Sequence, residues 1–531
     1  MCGIVGYVGR KEATPLLIEG LRRLEYRGYD SAGICVLTNG TLHVRKQVGR
    51  VEGLAQSLKT KPVKGSLGIS HTRWATHGLP SDINSHPHLD QSGKVALVHN
   101  GIIENYTTLR HRLQRLGHRF LSQTDTEVLA HLIGHHLDQA LARKGEVTPE
   151  RVTQAIFAAT REVEGTYAIA LMHQGLPGHL FGARRGSPLV VGLGQDENFL
   201  ASDVSPIVAH TRKVVYLHDG DIVTLTNKDF ALQARGKAIQ RPISSVDWSA
   251  EEAERGKHPH YMLKEIFEQP GRVAEVLRRT LRPAKGNVEF EEMALKPKEL
   301  AKINRLILLG CGTSWHAALV GEYVIETLAR LPVEVEYGSE MRYRGRPIEK
   351  NTLIVSISQS GETADTLAAI RAAKAQGART LGIVNVVGST IARESDADIY
   401  MRAGPEIGVA STKAFEMQVL QLTLLGIALA RQRGELSPAA GRKLVRELQT
   451  IPGKIEKILA GDAHLRKISK KYHQATGFLY MGRQFNFPVA LEGAARRLDS
   501  LRQPRRGRRR PRDHEAARPG GGDAQVLPRR P

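Results

Sequence analysis

The chain has 531 residues, enough for several domains, and its 41% hydrophobic and 24% charged residues are typical of a soluble globular protein. Its net charge of +22 is disproportionately concentrated in residues 496–531, which contain twelve arginines and four acidic residues. The positive charge of the remaining residues suits small anionic substrates as well as polynucleotides, and we expect no nucleic-acid partner. The sequence shows no apolar run of transmembrane length, no secretory signal and no paired cysteines, so we expect a cytoplasmic protein without a membrane partner.

The first region, residues 2–227, is predicted to be a mixed, β-rich domain. Short apolar runs alternate with Gly, Asp and Asn turns, and they predict strands over 3–8, 32–37, 95–98, 167–171 and 221–225. Helices are predicted over 14–24 and 126–141. Residues 228–300 are polar and charged with few strand signals, which predicts a helical linker.

Cys2 directly follows the initiator methionine in the run MCGIVG. A small residue at position two permits removal of Met1, so the mature protein would begin with cysteine. The thiol is a strong nucleophile, and an α-amine with a pKa of about 8 can take its proton directly or through a water. The alternative is an ordinary buried cysteine, and the segments that follow decide between the two.

Two further segments carry groups suited to a small amino acid. The run HTRWATHG at 71–78 offers the guanidinium of Arg73 for a bidentate contact with an α-carboxylate. Asn100 and Gly101 follow a predicted strand, so a side-chain amide and a backbone N–H can point at a developing oxyanion.

A third segment, TDTE at 124–127, begins a predicted helix. Thr124 or Asp125 could cap this helix, or Asp125 could bind a substrate ammonium group. Each segment alone could be only a turn or a cap. In this order, and with Cys2 at position two, they predict one site for an amino acid.

These segments, with LEYRGYDSAG at 24–33 and HNG at 99–101, resemble the class II glutamine amidotransferases. Those are N-terminal-nucleophile enzymes with a four-layer α/β/β/α fold. The resemblance implies that Cys2 attacks the glutamine carboxamide, releases ammonia and forms a thioester that is hydrolysed to glutamate. It implies that Asn100 and Gly101 form the oxyanion hole and that Trp74 lies at the entrance of an internal ammonia channel. The residues that it implies as glutamine contacts are Arg73, Thr76, His77 and Asp125.

From residue 305 the pattern changes, and strands alternate with helices. This predicts a doubly wound parallel sheet over 301–440, with strands at 306–309, 353–357 and 380–384 and helices at 315–329, 363–376 and about 413–431. Hydroxyl-rich turns precede these three helices, with the sequences CGTS, SQSGET and VASTK. One such turn can be a simple helix cap, but three in one domain indicate a phosphorylated ligand bound by hydroxyls and backbone amides without a metal.

These turns resemble the sugar isomerase (SIS) domain, and the ordered pair of domains resembles the glucosamine-6-phosphate synthase family. That family takes glutamine and fructose 6-phosphate to glutamate and glucosamine 6-phosphate, the first step of hexosamine biosynthesis. The resemblance implies a homodimer, no cofactor, and a sugar-phosphate site formed by Thr313, Ser314, Ser358, Gln359, Ser360, Thr363, Val409 and Ser411. The alternatives are a different class II amidotransferase, whose pyrophosphate or ATP loop we do not find, and an SIS regulator without glutaminase activity.

A third α/β unit is predicted over 468–495, with a strand at 478–481 and a helix beginning near 489. The SIS pattern then stops, and residues 496–531, dominated by Arg, Pro, Gly and Ala, cannot bury a core. This segment is either a basic nucleic-acid-binding tail or out-of-frame translation of a GC-rich gene. In either case the second SIS domain is incomplete and lacks the family's isomerase glutamate, ring-opening histidine and imine-forming lysine, so we expect the chain as written to hydrolyse glutamine without completing the synthesis.

Glu127, His131 and His135 fall on one predicted helix face, with His136 adjacent. This spacing could hold zinc, but ordinary helix histidines are the simpler interpretation and we expect no metal. The sequence has no G-x-G-x-x-G run, no P-loop and no lysine in a pyridoxal-phosphate motif, so neither NAD, ATP nor pyridoxal phosphate is expected.

Overall fold

A computed structural model of the protein describes residues 2–25, 28–74, 77–246, 248–249, 251–295 and 297–502. They form two α/β domains, which we call the first and second domains, joined by a linker helix.

Two antiparallel sheets form the centre of the first domain. The described strands are β1 (Gly3–Val8), β2 (Ser31–Thr38), β3 (Thr41–Val48), β4 (Leu67–Arg73), β5 (His88–Leu89), β6 (Val95–Ile103), β7 (Gly165–His173), β8 (Leu180–Arg185), β9 (Val190–Leu193), β10 (Asn198–Ala201), β11 (Lys213–Tyr216), β12 (Asp221–Leu225), β13 (Phe230–Ala234), β14 (Lys237–Ile239) and β15 (Ser244–Ser245). The larger sheet has the order β15-β11-β9-β10-β1-β4-β2-β3, and the smaller has the order β14-β13-β12-β8-β7-β6-β5.

Helices cover the outer face of each sheet. They are α1 (Ala13–Leu24) and α2 (Val51–Thr60) on the larger sheet, and α3 (Tyr106–Arg115), α4 (Asp125–Lys144) and α5 (Pro149–Glu162) on the smaller. Between the sheets, an apolar layer includes Ile4, Val98 and Ala168. A strand covered on both faces is apolar throughout, which explains the run GIVGYV of β1. The predicted α/β/β/α fold is therefore confirmed.

The sheets of the first domain continue past residue 227, where we predicted a helical linker to begin. Strands β13, β14 and β15 lie at the edges of the two sheets and end at Ser245. They are short and partly exposed, so they lack the apolar alternation that marks a strand. The linker helix is α6 (Tyr261–Thr280), and a small ribbon, β16 (Leu281–Arg282) with β17 (Asn287–Val288), and α7 (Pro297–Leu300) follow it.

The second domain contains the predicted parallel sheet. Its described elements are β18 (Arg305–Gly310), α8 (Thr313–Ala329), β19 (Val333–Tyr337), α9 (Gly338–Arg344), β20 (Thr352–Ser358), α10 (Ala364–Ala375), β21 (Arg379–Val384), α11 (Thr390–Glu394), β22 (Ala397–Tyr400) and α12 (Lys413–Arg433). The strand order is β19-β18-β20-β21-β22, so the chain reverses its winding direction between β18 and β20. Ligands of doubly wound sheets bind at such a switch point, and two of the hydroxyl-rich turns lie there.

Beyond the sheet the chain is helical, with α13 (Pro438–Gln449), α14 (Ile451–Leu459), α15 (Asp462–Tyr472) and α16 (Asn486–Arg502). The strand predicted at 478–481 is wrong, because these residues have no regular structure. A single strand needs a hydrogen-bonded neighbour, and no described strand lies beside it. Leu479 and Met481 are consequently 83% and 81% exposed.

Among the described residues, one helix, α12, has the length and hydropathy of a membrane span. In its most apolar window 78% of the residues are buried inside the protein. Its side chains, including Leu422 and Leu425, pack in the core of the second domain.

Candidate functional site

Cys2 lies at the start of β1, where the two sheets of the first domain face each other. The backbone N–H of Trp74, just past the end of β4, donates a hydrogen bond to Cys2 Sγ over 3.2 Å. From the opposite sheet, the side-chain amide of Asn100 on β6 donates from Nδ2 to the carbonyl oxygen of Cys2 over 3.1 Å. The fold therefore brings together three residues that are up to 98 positions apart.

Asn100 is held from its other side by His71. The imidazole Nε2 lies 2.9 Å from Asn100 Oδ1 and 3.0 Å from the carbonyl oxygen of His99. The next residue, Gly101, has φ +140°, and a Cβ there would lie 2.1 Å from the carbonyl oxygen of Thr166. Only glycine fits this position, and it turns the backbone beside Asn100.

The guanidinium of Arg73 is close enough to both Cys2 and Asp125 to feel their charges, and Arg73 and Asp125 are both buried. Arg73 Nη2 donates to the carbonyl oxygens of His77 and Gly78, whereas its Nη1 is enclosed and has no hydrogen-bond partner among the described residues. Asp125 begins α4 and accepts from the backbone N–H of Ile103 over 2.9 Å. Burial lowers the pKa of Arg73, against the opposing fields of Cys2 and Asp125. These are the two charges that an α-amino acid zwitterion requires.

The remaining residues of the 71–78 block surround this site. Trp74 is 46% exposed and meets the ring of Tyr29 edge-on, with centroids 5.5 Å apart. His77 packs its ring against Tyr106, with centroids 5.1 Å apart. Thr76, which we predicted to contact glutamine, lies outside the described residues.

A layer of four buried histidines, which we did not predict, lies under the site. The rings of His71 and His86 are in contact at a tilt of 36°, with centroids 4.1 Å apart. His88 Nε2 hydrogen-bonds the hydroxyl of Thr124, and His99 Nδ1 hydrogen-bonds that of Thr126, so these two rings hold the residues on either side of Asp125. Burial lowers the pKa of all four histidines. The sequence signal that could have predicted this layer is the presence of histidines within otherwise apolar strand patterns.

Unfolding at mildly acidic pH is expected to take up a proton at His71. Burial lowers its pKa to about 3, whereas in the unfolded chain the pKa is about 6.5. Stability from this group is therefore full above pH ~6.5 and is lost towards pH ~3, at about 1.4 kcal/mol per pH unit. Calorimetry at pH ~5.5 in buffers of different ionisation enthalpy measures the uptake, and His71→Gln should lower it by nearly one proton. Unchanged uptake would contradict the neutral buried imidazole.

The histidines of α4 lie near one another, but their side-chain hydrogen bonds go to different partners. His131 Nδ1 lies 3.1 Å from His118 Nδ1, and His136 Nε2 lies 2.6 Å from a carboxylate oxygen of Glu162. The carboxylate of Glu127 accepts backbone N–H groups of the preceding loop. Within the part of the chain that the structure describes, no three His, Cys, Asp or Glu side chains are placed to hold a metal.

In the second domain, the turn after β20 is organised by its own hydroxyl groups. Ser358 Oγ lies 2.9 Å from Thr363 Oγ1 and accepts from the backbone N–H of Gly361 over 3.0 Å. Ser360 Oγ accepts from the N–H of Glu362 over 3.2 Å. A Cβ at Gly361, where φ is +64°, would meet the Ser389 hydroxyl at 2.0 Å, so the turn needs glycine there. Gln359 lies within this turn and lines a cavity towards the first domain.

The first turn of α8 contacts α16, a helix that the sequence did not connect with it. Thr313 Oγ1 donates to Glu492 Oε1 over 3.1 Å, and His316 Nδ1 lies 2.7 Å from Glu492 Oε2. Arg496 Nε donates to the same carboxylate over 3.0 Å. Burial opposes ionisation of Glu492, but these partners outweigh it and lower its pKa. The neighbouring Ser314 accepts from the side-chain amide of Gln418 over 3.0 Å.

The loop before α12 carries Val409 and Ser411 and is held by buried carboxylates. Ser411 Oγ donates to Glu406 over 3.1 Å, and Glu406 also caps the start of α12 by accepting backbone N–H groups. Glu265 of α6 accepts the N–H groups of Ile407 and Gly408 over 2.6 and 3.0 Å. The linker helix thus fixes the loop, and Val409 stays 49% exposed.

Arg184 joins the two domains. The residue is 1% exposed, and its guanidinium donates to the backbone of Leu217 in the first domain and to the hydroxyl of Thr390 in the second. It also lies 3.2 Å from Asp219 and 3.7 Å from Glu362, the glutamate of the turn after β20. A cavity of about 220 Å³ lies beside this contact, lined from one side by Ser202, Val204 and Tyr216 and from the other by Gln359, Ser360 and Glu406.

Each of the two domains matches a known protein family. Residues 71–209 match the family model of a glutamine amidotransferase domain, and residues 299–428 match that of the SIS domain.

The chain is also similar over most of its length to curated proteins. The isomerizing glutamine–fructose-6-phosphate aminotransferase of Thermus thermophilus is 48% identical over 495 residues, covering 93% of this chain and 79% of that protein. The enzyme of the same name from Chlorobaculum tepidum is 48% identical over 500 residues, 93% of this chain and 80% of that protein. Among solved structures, the C-terminal domain of glucosamine-fructose-6-phosphate aminotransferase from Francisella tularensis is 36% identical and covers 46% of this chain and 67% of that chain, with a TM-score of 0.44.

Proposed function

The chain belongs to the family of isomerising glutamine–fructose-6-phosphate aminotransferases, and from that membership we propose that it transfers the amide nitrogen of glutamine to fructose 6-phosphate. The products are glutamate and glucosamine 6-phosphate, in the first step of hexosamine biosynthesis. The observation that carries the proposal is that one chain contains both sites. Cys2 contacts Asn100 in the first domain, and Arg184 links that domain to the hydroxyl-rich turn after β20, at the switch point of the parallel sheet.

In the first half-reaction, Cys2 Sγ attacks the carboxamide carbon of glutamine and its proton passes to the α-amine or a water. Asn100 Nδ2 and the backbone N–H of Gly101 stabilise the oxyanion of the tetrahedral intermediate. The group that took the thiol proton returns it to the amide nitrogen, the C–N bond breaks, and ammonia leaves a thioester behind. Water then hydrolyses the thioester to glutamate and regenerates the free thiol. The Trp74 N–H that donates to Cys2 Sγ supports this role, because such a donor favours the thiolate.

Glutamine is oriented by two oppositely charged side chains, Arg73 and Asp125. The unpartnered Nη1 of Arg73 supports a contact with the α-carboxylate, and the carboxylate of Asp125 supports one with the α-ammonium. Thr76 and His77 complete the proposed glutamine site, His77 from a position where its backbone already contacts Arg73.

In the second half-reaction, the phosphate of the sugar lies against the N-termini of α8 and α10. Hydroxyls and backbone N–H groups at a helix N-terminus bind phosphate through hydrogen bonds and the helix dipole. The proposed contacts are Thr313, Ser314, Ser358, Gln359, Ser360 and Thr363, with Val409 and Ser411 beside the sugar. Thr313 has to exchange its bond to Glu492 for one to the phosphate.

Ammonia travels between the sites inside the protein, with Trp74 at the entrance of its route. The cavity between the domains supports this proposal, because it is lined by residues close to both sites. On one side is Ser202, whose hydroxyl accepts from the N–H of Ile4, two residues after Cys2. On the other side is Ser360 of the turn after β20. An enclosed route protects ammonia from protonation in bulk water. We further propose that the protein is a cytoplasmic homodimer, as the family resemblance implies.

Removal of single hydroxyls from the turn after β20 is expected to weaken the binding of fructose 6-phosphate. Ser358→Ala and Thr363→Ala should each cost about 1–3 kcal/mol, the usual loss for a hydrogen bond to a charged group. Isothermal calorimetry measures the affinity. Ser356→Ala is the matched control, since Ser356 lies on the same strand but bonds the carbonyl of Leu381. Unchanged affinity in both test variants would place the phosphate elsewhere.

Product stoichiometry measures how much of the proposed transfer this chain completes. The purified 531-residue protein, given glutamine and fructose 6-phosphate, should form glutamate, and Cys2→Ala should stop it. We expect less glucosamine 6-phosphate than glutamate, because RRLDS at 496–500 stands where the family resemblance calls for a lysine and a glutamate, and a guanidinium does not replace an amine. Equal yields would contradict this expectation, and no glutamate at all would contradict the glutaminase.

A further inference from the structure

The hydrogen bonds of His71 determine where its ring proton lies. Nε2 lies 2.9 Å from the side-chain oxygen of Asn100 and 3.0 Å from the carbonyl oxygen of His99. Both oxygens only accept, so Nε2 must carry the hydrogen and donate it. Nδ1 is enclosed and has no hydrogen-bond partner among the described residues. Since burial also lowers the pKa of His71 to about 3, the ring is neutral with its lone pair on Nδ1.

This tautomer distinguishes the two ends of the Asn100 amide. With Oδ1 towards His71, the NH₂ group faces Cys2 and donates to its carbonyl oxygen over 3.1 Å. A flipped amide would set its NH₂ against the N–H of His71 and turn an oxygen towards Cys2. An oxygen there would repel a developing oxyanion, so the orientation of this amide decides whether the site can donate.

The ring of His71 is itself held rigidly. His71 is 1% exposed on β4, between β1 and β2, where it pairs with Ile4 and Gly33. The His86 ring packs against it at a tilt of 36°, with centroids 4.1 Å apart. A side chain this enclosed keeps one rotamer, which a group that fixes another group's orientation requires.

We propose that His71 is a positioning residue of glutamine hydrolysis, whose neutral Nε2–H fixes the amide of Asn100 so that its N–H groups face the oxyanion formed at Cys2. The inference rests on the proposed function, since it presumes that Cys2 and Asn100 act as described there. Cys2→Ala tests that function by itself, whereas the following experiments compare variants that all keep Cys2.

The first experiment compares His71→Leu with His71→Gln. Leucine cannot donate, and kcat for glutamine should fall about 10- to 100-fold with KM within about twofold, a smaller loss than removal of an oxyanion donor outright. Glutamine places an amide N–H near the position of Nε2 and should restore most of kcat. The affinity for glutamate γ-semialdehyde, which forms an oxyanion-bearing adduct with the cysteine, should fall with kcat, and the affinity for glutamate should not.

A double-mutant cycle separates positioning from a structural effect. In an Asn100→Ala background the amide is gone, so His71→Leu should have no further effect on kcat. An equal loss in both backgrounds would overturn the proposal.

If His71→Leu does not fold, the tautomer of His71 in the unmodified protein still tests the proposal. ¹⁵N resonances of labelled histidine should show His71 protonated at Nε2 alone. A proton on Nδ1, or on both nitrogens, at neutral pH would overturn the proposal without any variant.

Discussion

Replacement of Cys2 by alanine is expected to abolish glutamine hydrolysis, with a loss of at least about 10³-fold in kcat, because no other group can form the thioester. The other two cysteines cannot substitute for it. Cys35 is fully buried between the sheets, and burial raises the pKa of its thiol to about 12. Cys311 lies in the second domain, in the turn after β18. Release of glutamate from glutamine measures the effect.

The same experiment tests the requirement for a free N-terminus. A form of the protein that keeps Met1 should also lose glutamine hydrolysis. The nitrogen of Cys2 then stays in a peptide bond and cannot accept a proton. Cys35→Ala is the matched control and should keep glutaminase activity. Fructose 6-phosphate binding should be unchanged in all three proteins. Activity that survives both Cys2→Ala and a blocked N-terminus would remove the assignment of the nucleophile.

Replacement of Arg184 by methionine is expected to destabilise the folded protein by about 3–5 kcal/mol, the usual cost of removing one partner from a buried ion pair. The guanidinium is enclosed between the domains, and without it the carboxylates of Asp219 and Glu362 lose a shared cation. Asp219 has its pKa lowered, because the Gly186 amide, Arg184 and Arg371 outweigh the effect of burial. Chemical denaturation measures the loss.

Arg371→Met provides the matched control. Arg371 contacts the same carboxylate of Asp219 over 3.0 Å, but its side chain is 48% exposed. Exposed ion pairs contribute about 0–1 kcal/mol, so this variant should be nearly as stable as the parent. Equal losses in the two variants, or a loss below about 1 kcal/mol for Arg184→Met, would show that burial at the domain contact does not set the energy.

Much of the fold could be predicted because its signals are local. The strands β1 and β12 fall on the predicted residues, since a buried strand between turns leaves an apolar run. The strand β19, VEVEY, was not predicted, because its charged residues pair with arginines of β18 and a following loop. The strand at 478–481 was predicted wrongly, because an apolar run does not reveal whether a neighbouring strand exists.

In the candidate site, too, the residues in local motifs could be predicted and the contacts between distant residues could not. Cys2, Arg73 and Asn100 lie in short motifs, and the order of those motifs was sufficient to predict an amino-acid site. The contact of Glu492 with Thr313 joins residues 179 positions apart, and that of Arg184 with Thr390 joins residues 206 apart. No periodicity or spacing encodes such pairs, because they depend on how separate elements pack.

The carboxylate of Glu265 also bears on how such enzymes can recombine. It belongs to the linker helix, yet it holds the backbone of Ile407 and Gly408 beside the proposed sugar site. A gene fusion made at residue 299, where the SIS match begins, would separate that loop from its support. The exchangeable unit is therefore longer than the sheet and its helices. Chimaeras between amidotransferases should keep α6 with the sugar-binding part, and a junction between Ser245 and Tyr261 is the place to join a foreign glutaminase.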